Sequence, residues 1–148
     1  MTAKNKGFTL VELMIVVAVI SIIAAIAVPN ILRTKMAANE AGAIQSLRTL
    51  VSAQDLFRNT EGLNRYGTLG ELSNSIPPCV DPALGSGVVS GYRVADVGAP
   101  GSDTWAAVAL PNSVGGTGNR GFYVDQSGVI RYTTDGSAPD SSSSPLNE

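Results

Sequence analysis

Residues 6–29 read KGFTLVELMIVVAVISIIAAIAVP, and this stretch decides what kind of chain it belongs to. Between Phe8 and Val28, 21 residues, only Thr9, Glu12 and Ser21 carry polar side chains. A helix of that length, rising about 1.5 Å per residue, spans roughly 31 Å and matches the ~30 Å hydrocarbon layer of a bilayer. Val16, Val17, Val19, Ile20, Ile22, Ile23, Ile26 and Val28 fall on every side of it, so it must be surrounded by lipid or by other helices. Lys4 and Lys6 precede the run, which places the N-terminus in the cytoplasm and the chain after Pro29 outside; Arg33 and Lys35 are the opposing count. Pro29 has no N–H and opposes the carbonyl of Ala25, so the sequence predicts a kink or local unwinding there.

Outward from this segment, composition excludes several classes of function. The chain has 148 residues, 44% hydrophobic and 15% charged, with net charge −2, too little charge for a nucleic-acid footprint. It contains no histidine, which removes Ser-His-Asp and Cys-His catalysis and every His-ligated metal site. Its one cysteine, Cys79, can form neither an intrachain disulfide nor a zinc cage and reads as a small buried hydrophobe. Gly115-Gly116-Thr117-Gly118 lacks the Lys-Ser/Thr of a phosphate loop and reads as a flexible connection. Asp135, Asp140 and the serines 141–144 offer oxygen ligands in a spacing unlike an EF-hand, and they read as a solvated tail. No catalytic constellation and no cofactor motif is present.

Two readings compete for the first segment. A basic start, an apolar run and Ala25-Ile26-Ala27 fit a secretory signal peptide cleaved before Val28, which would free a soluble secreted domain. Glu12 opposes that, since an acidic side chain in a membrane helix costs up to about 2.5–3.5 kcal/mol and calls for a partner. Moreover Lys6-Gly7-Phe8-Thr9-Leu10-Val11-Glu12, followed by an apolar run closed by Pro29, resembles the N-terminus of type IV pilins and pseudopilins.

The resemblance covers residues 4–35 and implies that a prepilin peptidase/methyltransferase cuts between Gly7 and Phe8 and methylates the new amino group of Phe8. It also implies that Glu12 pairs with the Phe8 ammonium of a neighbouring subunit as helices stack. An intrachain pair between Phe8 and Glu12 is the alternative that four-residue spacing allows. The implied product is a homopolymer held through its N-terminal helices and built by an inner-membrane assembly platform, with the subunit in the membrane before assembly and in an extracellular pilus afterwards. A pseudopilin of a type II secretion system is the second reading. Ser21 stands where many members carry Gly, and the disulfide that closes a C-terminal loop in many relatives is impossible here.

The rest of the chain predicts an α+β fold. Ile44, Leu47, Leu50, Val51 and Phe57 form a helical stripe that runs to about Asn59, ahead of Gly62. Ala37, Ala38, Ala41, Gly42 and Ala43 form a small-residue patch that helix propensity or helix packing explains equally well. Four strands are expected at Tyr92–Val97, Trp105–Leu110, Gly121–Asp125 and Val129–Thr133, with a tight turn at Asp125-Gln126-Ser127-Gly128. Ala106, Val108 and Leu110 share one face, as do Ile130 and Tyr132, and one side of the sheet should cover the helical stripe. The expected organisation is a leader 1–7, a membrane or filament-core helix 8–28, an amphipathic continuation 29–60, a connecting loop 61–90 with a helical turn at Leu69–Leu72, a four-stranded antiparallel sheet 91–133 and a tail 134–148.

Overall fold

The computed structural model describes residues 7–60 and 64–147. Lys4 and Lys6 of the leader, Gly62 and the last tail residue, Glu148, lie outside the described residues. The chain divides into two compact units, Met1–Thr34 and Lys35–Glu148, and helix α1, Leu10–Thr60, contributes to both. In the first unit, the side chains from Leu10 to Thr34 are exposed, with only Ala27 half-covered. The helix stays helical through Pro29. Its polar side chains bond back to their own backbone: Ser21 Oγ donates to Val17 O (2.7 Å) and Asn30 Nδ2 to Ile26 O (3.2 Å). These groups therefore ask nothing of an apolar surrounding.

In the second unit, Ala43, Leu47, Leu50, Ala53 and Phe57 recur at three- and four-residue steps and form the buried stripe of α1. Ile44 and Val51, expected in that stripe, lie at its margin. Two short helices follow, α2 (Leu69–Asn74) and α3 (Pro82–Gly85). Thr68 caps α2 through a box in which its hydroxyl accepts from the Glu71 N–H while Glu71 accepts from the Thr68 N–H. Asp81 caps α3, and Pro82 occupies its first turn, where a missing N–H costs nothing.

The sheet has six strands, not the four expected: β1 (Val88–Val89), β2 (Tyr92–Asp96), β3 (Ala106–Pro111), β4 (Gly121–Asp125), β5 (Arg131–Thr133) and β6 (Ser144–Pro145). All neighbours are antiparallel and in chain order. The two additional strands are two residues long at the sheet edges, too short to show a periodic pattern. The β4–β5 turn forms as expected, with the Gly128 N–H donating to Asp125 O (2.9 Å) and Gly128 at φ +72°.

Strand β3 corrects the expected facing. Ala107 and Ala109, both fully buried, point to the core, and Val108 and Leu110 lie on the opposite face. The rings of Tyr92 on β2 and Phe122 on β4 approach to 5.9 Å across β3, leaving room for methyl groups only. Ile130 faces the core as expected, with Tyr132 packed at its margin.

The segment after Thr133, expected as a solvated tail, is pinned to the sheet. Thr133 Oγ1 donates to Ser137 O, Arg131 Nη1 to Ser143 O and the Leu146 N–H to Ile130 O, while Pro139 is buried. Gly115–Gly118 is likewise no flexible connection, because Asn39 Nδ2 on α1 donates to Thr117 O (2.8 Å) and Thr117 Oγ1 bonds Ser113 twice.

Candidate functional site

The candidate site begins at Gly7, just before the helix. A Cβ on Gly7 would meet nothing within 4 Å, so no contact among the described residues calls for glycine there. Phe8 is 89% exposed, which places a large ring and its preceding peptide bond in the open.

One turn further, Thr9 is the helix N-cap and Glu12 its third residue, which is the spacing of a capping box. The Thr9 N–H and Thr9 Oγ1 both donate to Glu12 Oε2, at 2.9 and 2.7 Å, and the Glu12 N–H donates to Thr9 Oγ1 at 3.2 Å. Both bonds to the carboxylate fall on Oε2, and no bond to Oε1 is among those between described residues. The sequence reading offered Phe8 as the intrachain partner and missed Thr9, although T-x-x-E ahead of an apolar run is a legible signature.

From Leu10 to Leu32 the helix presents apolar side chains all round, among them Ile20 (59% exposed) and Ile26 (66%). The segment is long and apolar enough to cross a membrane. Withdrawing such a surface from water is the dominant favourable term in helix burial, and here no described part of the chain does it. Pro29 lies within this segment, and its backbone remains helical.

The second unit has its own polar anchor, which the sequence reading did not find. Glu40, 8% exposed, accepts from the N–H groups of Asn119 (2.9 Å) and Arg120 (3.2 Å) and from Arg120 Nε (2.7 Å). Burial works to raise the Glu40 pKa, but these donors and the guanidinium outweigh it and hold the carboxyl below its ordinary range. Gln54, 1% exposed, clasps Gly67 in both directions, donating to its carbonyl (2.6 Å) and accepting from its N–H (2.9 Å). A Cβ on Gly67 would come to 2.9 Å from the Phe57 ring, so glycine is required for that approach.

Elsewhere the polar groups serve local turns. Asp135 accepts from the backbone and hydroxyl of Ser137, and Asp140 from those of Ser142 with the Ser143 hydroxyl besides; these donors hold both carboxyls below their usual range. Among the described residues no three acidic, Cys or His side chains stand close enough to hold a metal ion. Cys79 is half-buried against the core, with Ser75 Oγ 3.3 Å from its sulfur.

An exposed apolar helix preceded by a small residue and opening on a capped glutamate, continued into an α+β domain, defines a class of protein whose N-terminal helix needs a cover from outside its own domain, lipid or other helices. Comparison with known proteins agrees. Residues 2–28 match the prokaryotic N-terminal methylation motif. The chain is 30% identical over 112 residues to the major component of the type IV wide pilus of Thermus thermophilus, covering 74% of this chain and 85% of that one. It is 39% identical over 87 residues to the type IV major pilin of Myxococcus xanthus, covering 55% of this chain but only 40% of that one. Over 57 residues it is 35% identical to the type II secretion system core protein G of Escherichia coli, covering 38% of this chain and 39% of that one. No solved structure matches. The chain belongs to the type IV pilin family, in which pilins and type II secretion pseudopilins share this N-terminal segment.

Proposed function

We propose that this chain is a structural subunit that polymerises through its apolar helix into a type IV pilus. The observation that carries the reading is the exposed run from Leu10 to Leu32, which its own chain leaves uncovered and which filament or bilayer packing would cover. Before assembly the helix lies in the inner membrane, where its hydrophobic gain is already present. Filament therefore wins over membrane only through close packing and polar pairing, a narrow margin suited to an assembly platform that drives extraction. The Thermus pilus component, which aligns over 85% of its length, supports this reading over the secretion pseudopilin, which the core protein G match keeps as the second reading.

In this reading a prepilin peptidase cuts between Gly7 and Phe8. The open surroundings of Gly7 support that role, since a residue without a Cβ lets an enzyme approach the backbone closely. The freed Phe8 amine is then N-methylated and remains a cation. Glu12 Oε1 accepts the Phe8 ammonium of a neighbouring subunit while Thr9 keeps Oε2, so each buried charge gains a counter-charge in an apolar setting. Pro29 leaves the Ala25 carbonyl without its helical donor and is the place where the helix yields during assembly.

The test is the mass and first residue of the mature chain recovered from cells. A start at N-methylated Phe8 is expected; a start at Val28 would mean an ordinary signal peptide and would end the filament reading.

A further inference from the structure

Asp96 ends β2, on the side of the strand shared by Tyr92 and Val94 and opposite Ala107, which is fully buried. Its Oδ2 accepts the N–H of Leu69, the first residue of α2, at 3.1 Å. Its Oδ1 is buried and has no hydrogen-bond partner among the described residues. The surrounding charges do not repair this. Glu71 on α2 repels the carboxylate, and Arg65 is committed to Glu71 through Nη1 (3.2 Å) and Nη2 (2.5 Å). On α1, Arg58 faces Asp103 at 3.7 Å and donates to Tyr66 Oη, and Asp81 is occupied in capping α3. Arg93 is on the opposite face of β2.

We propose that Asp96 is a proton-operated latch on the α2–α3 segment: ionised, it keeps one oxygen buried and unpaired beside a second carboxylate, and a proton from the medium removes that charge while the segment stays docked. Burial first, and then the Glu71 charge, push the Asp96 pKa above its usual 3.8, against the N–H bond from Leu69. The sign follows from proton linkage. The folded chain binds this proton more tightly than the unfolded one, so stability is lost as pH rises from 3.8 through the raised folded value, and at neutral pH the penalty is fully present. Glu71 titrates in another window. The Arg65 guanidinium and the Thr68 N–H hold it at about 2, so it remains ionised while Asp96 takes up its proton. The segment under this control displays Ile76, which is 90% exposed, so protonation firms a part of the domain that carries a highly exposed apolar side chain.

The experiment is amide hydrogen exchange of the full chain in detergent micelles at about pH 7 and about pH 5, corrected for intrinsic exchange, with residues 66–87 compared with β4–β5. In the native chain, protection of 66–87 should rise at the acid condition, by at most about tenfold for each unit by which the fold raises the Asp96 pKa, while β4–β5 stays constant. Asp96→Asn keeps an acceptor for Leu69 without the charge, so its protection at about pH 7 should reach at least the native acid level and lose its pH dependence. Asp96→Ala removes the acceptor and should lower protection at both conditions. The latch is overturned if Asp96→Asn exchanges as fast as Asp96→Ala, if native protection of 66–87 fails to rise in acid, or if the rise is uniform over the domain.

Discussion

The two halves of α1 share one helical backbone and differ in what they bury. From Ala43 to Phe57 the apolar side chains occur at three- and four-residue steps and are covered by strands of the same chain; Leu47 and Leu50 are fully buried. From Leu10 to Leu32 they occur at nearly every position and are exposed, Leu10 at 74% and Ile22 at 64%. The same residue types thus do two jobs. Amphipathic spacing commits a helix to an intramolecular core, whereas apolar residues all round exceed what one domain face can cover and commit it to lipid or to copies of itself.

The largest effect that would break this comparison is at Glu12. If the uncovered half assembles through charge pairing, Glu12→Ala should leave cleavage and membrane insertion intact and abolish filaments, read as subunit in the sheared surface fraction. Normal piliation of that variant would remove the pairing role.

Next come core deletions. Leu50→Ala should destabilise the folded domain by about 2–5 kcal/mol, as large-to-small changes in a packed core do. Ile20→Ala in the exposed half should leave the domain's thermal midpoint unchanged, and its cost should appear in filament yield. An equal loss of midpoint in both variants would mean that the halves are not separate in their energetics.

A smaller effect is expected at Glu40. Its folded pKa is depressed, so its contribution is present above the ordinary carboxylate range near 4.5 and is lost as pH falls through the lower folded value. Glu40→Gln should cost about 2 kcal/mol near neutral pH, less than for a fully buried pair because Arg120 is a third exposed. The difference from the native chain should shrink in acid denaturation curves, and a difference that grows toward low pH would assign Glu40 the opposite role.

The candidate site was legible to a large extent because its signals are local. Gly7-Phe8, Glu12 and Pro29 stand within one short run, and the apolar length is read by counting. Thr9 is equally local: Thr9-x-x-Glu12 spells a capping box, and the structure forms it. In the second unit, the helical stripe, the core strands and the Asp125–Gly128 turn also follow from short-range pattern.

What the sequence by itself determined, then, is everything set by neighbours along the chain: an apolar helix beyond the needs of one core, its opening and its proline, an amphipathic continuation and antiparallel strands after it. Only the tertiary structure decided which face of β3 turns inward, since both faces are apolar and the Tyr92 and Phe122 rings on adjacent strands determine the room left. Only it brought Glu40 to Arg120, 80 residues apart, Gln54 to Gly67, and the serine-rich end onto β5 as β6. Buried polar groups must find partners wherever the fold delivers them, and no spacing rule along the chain records where that will be.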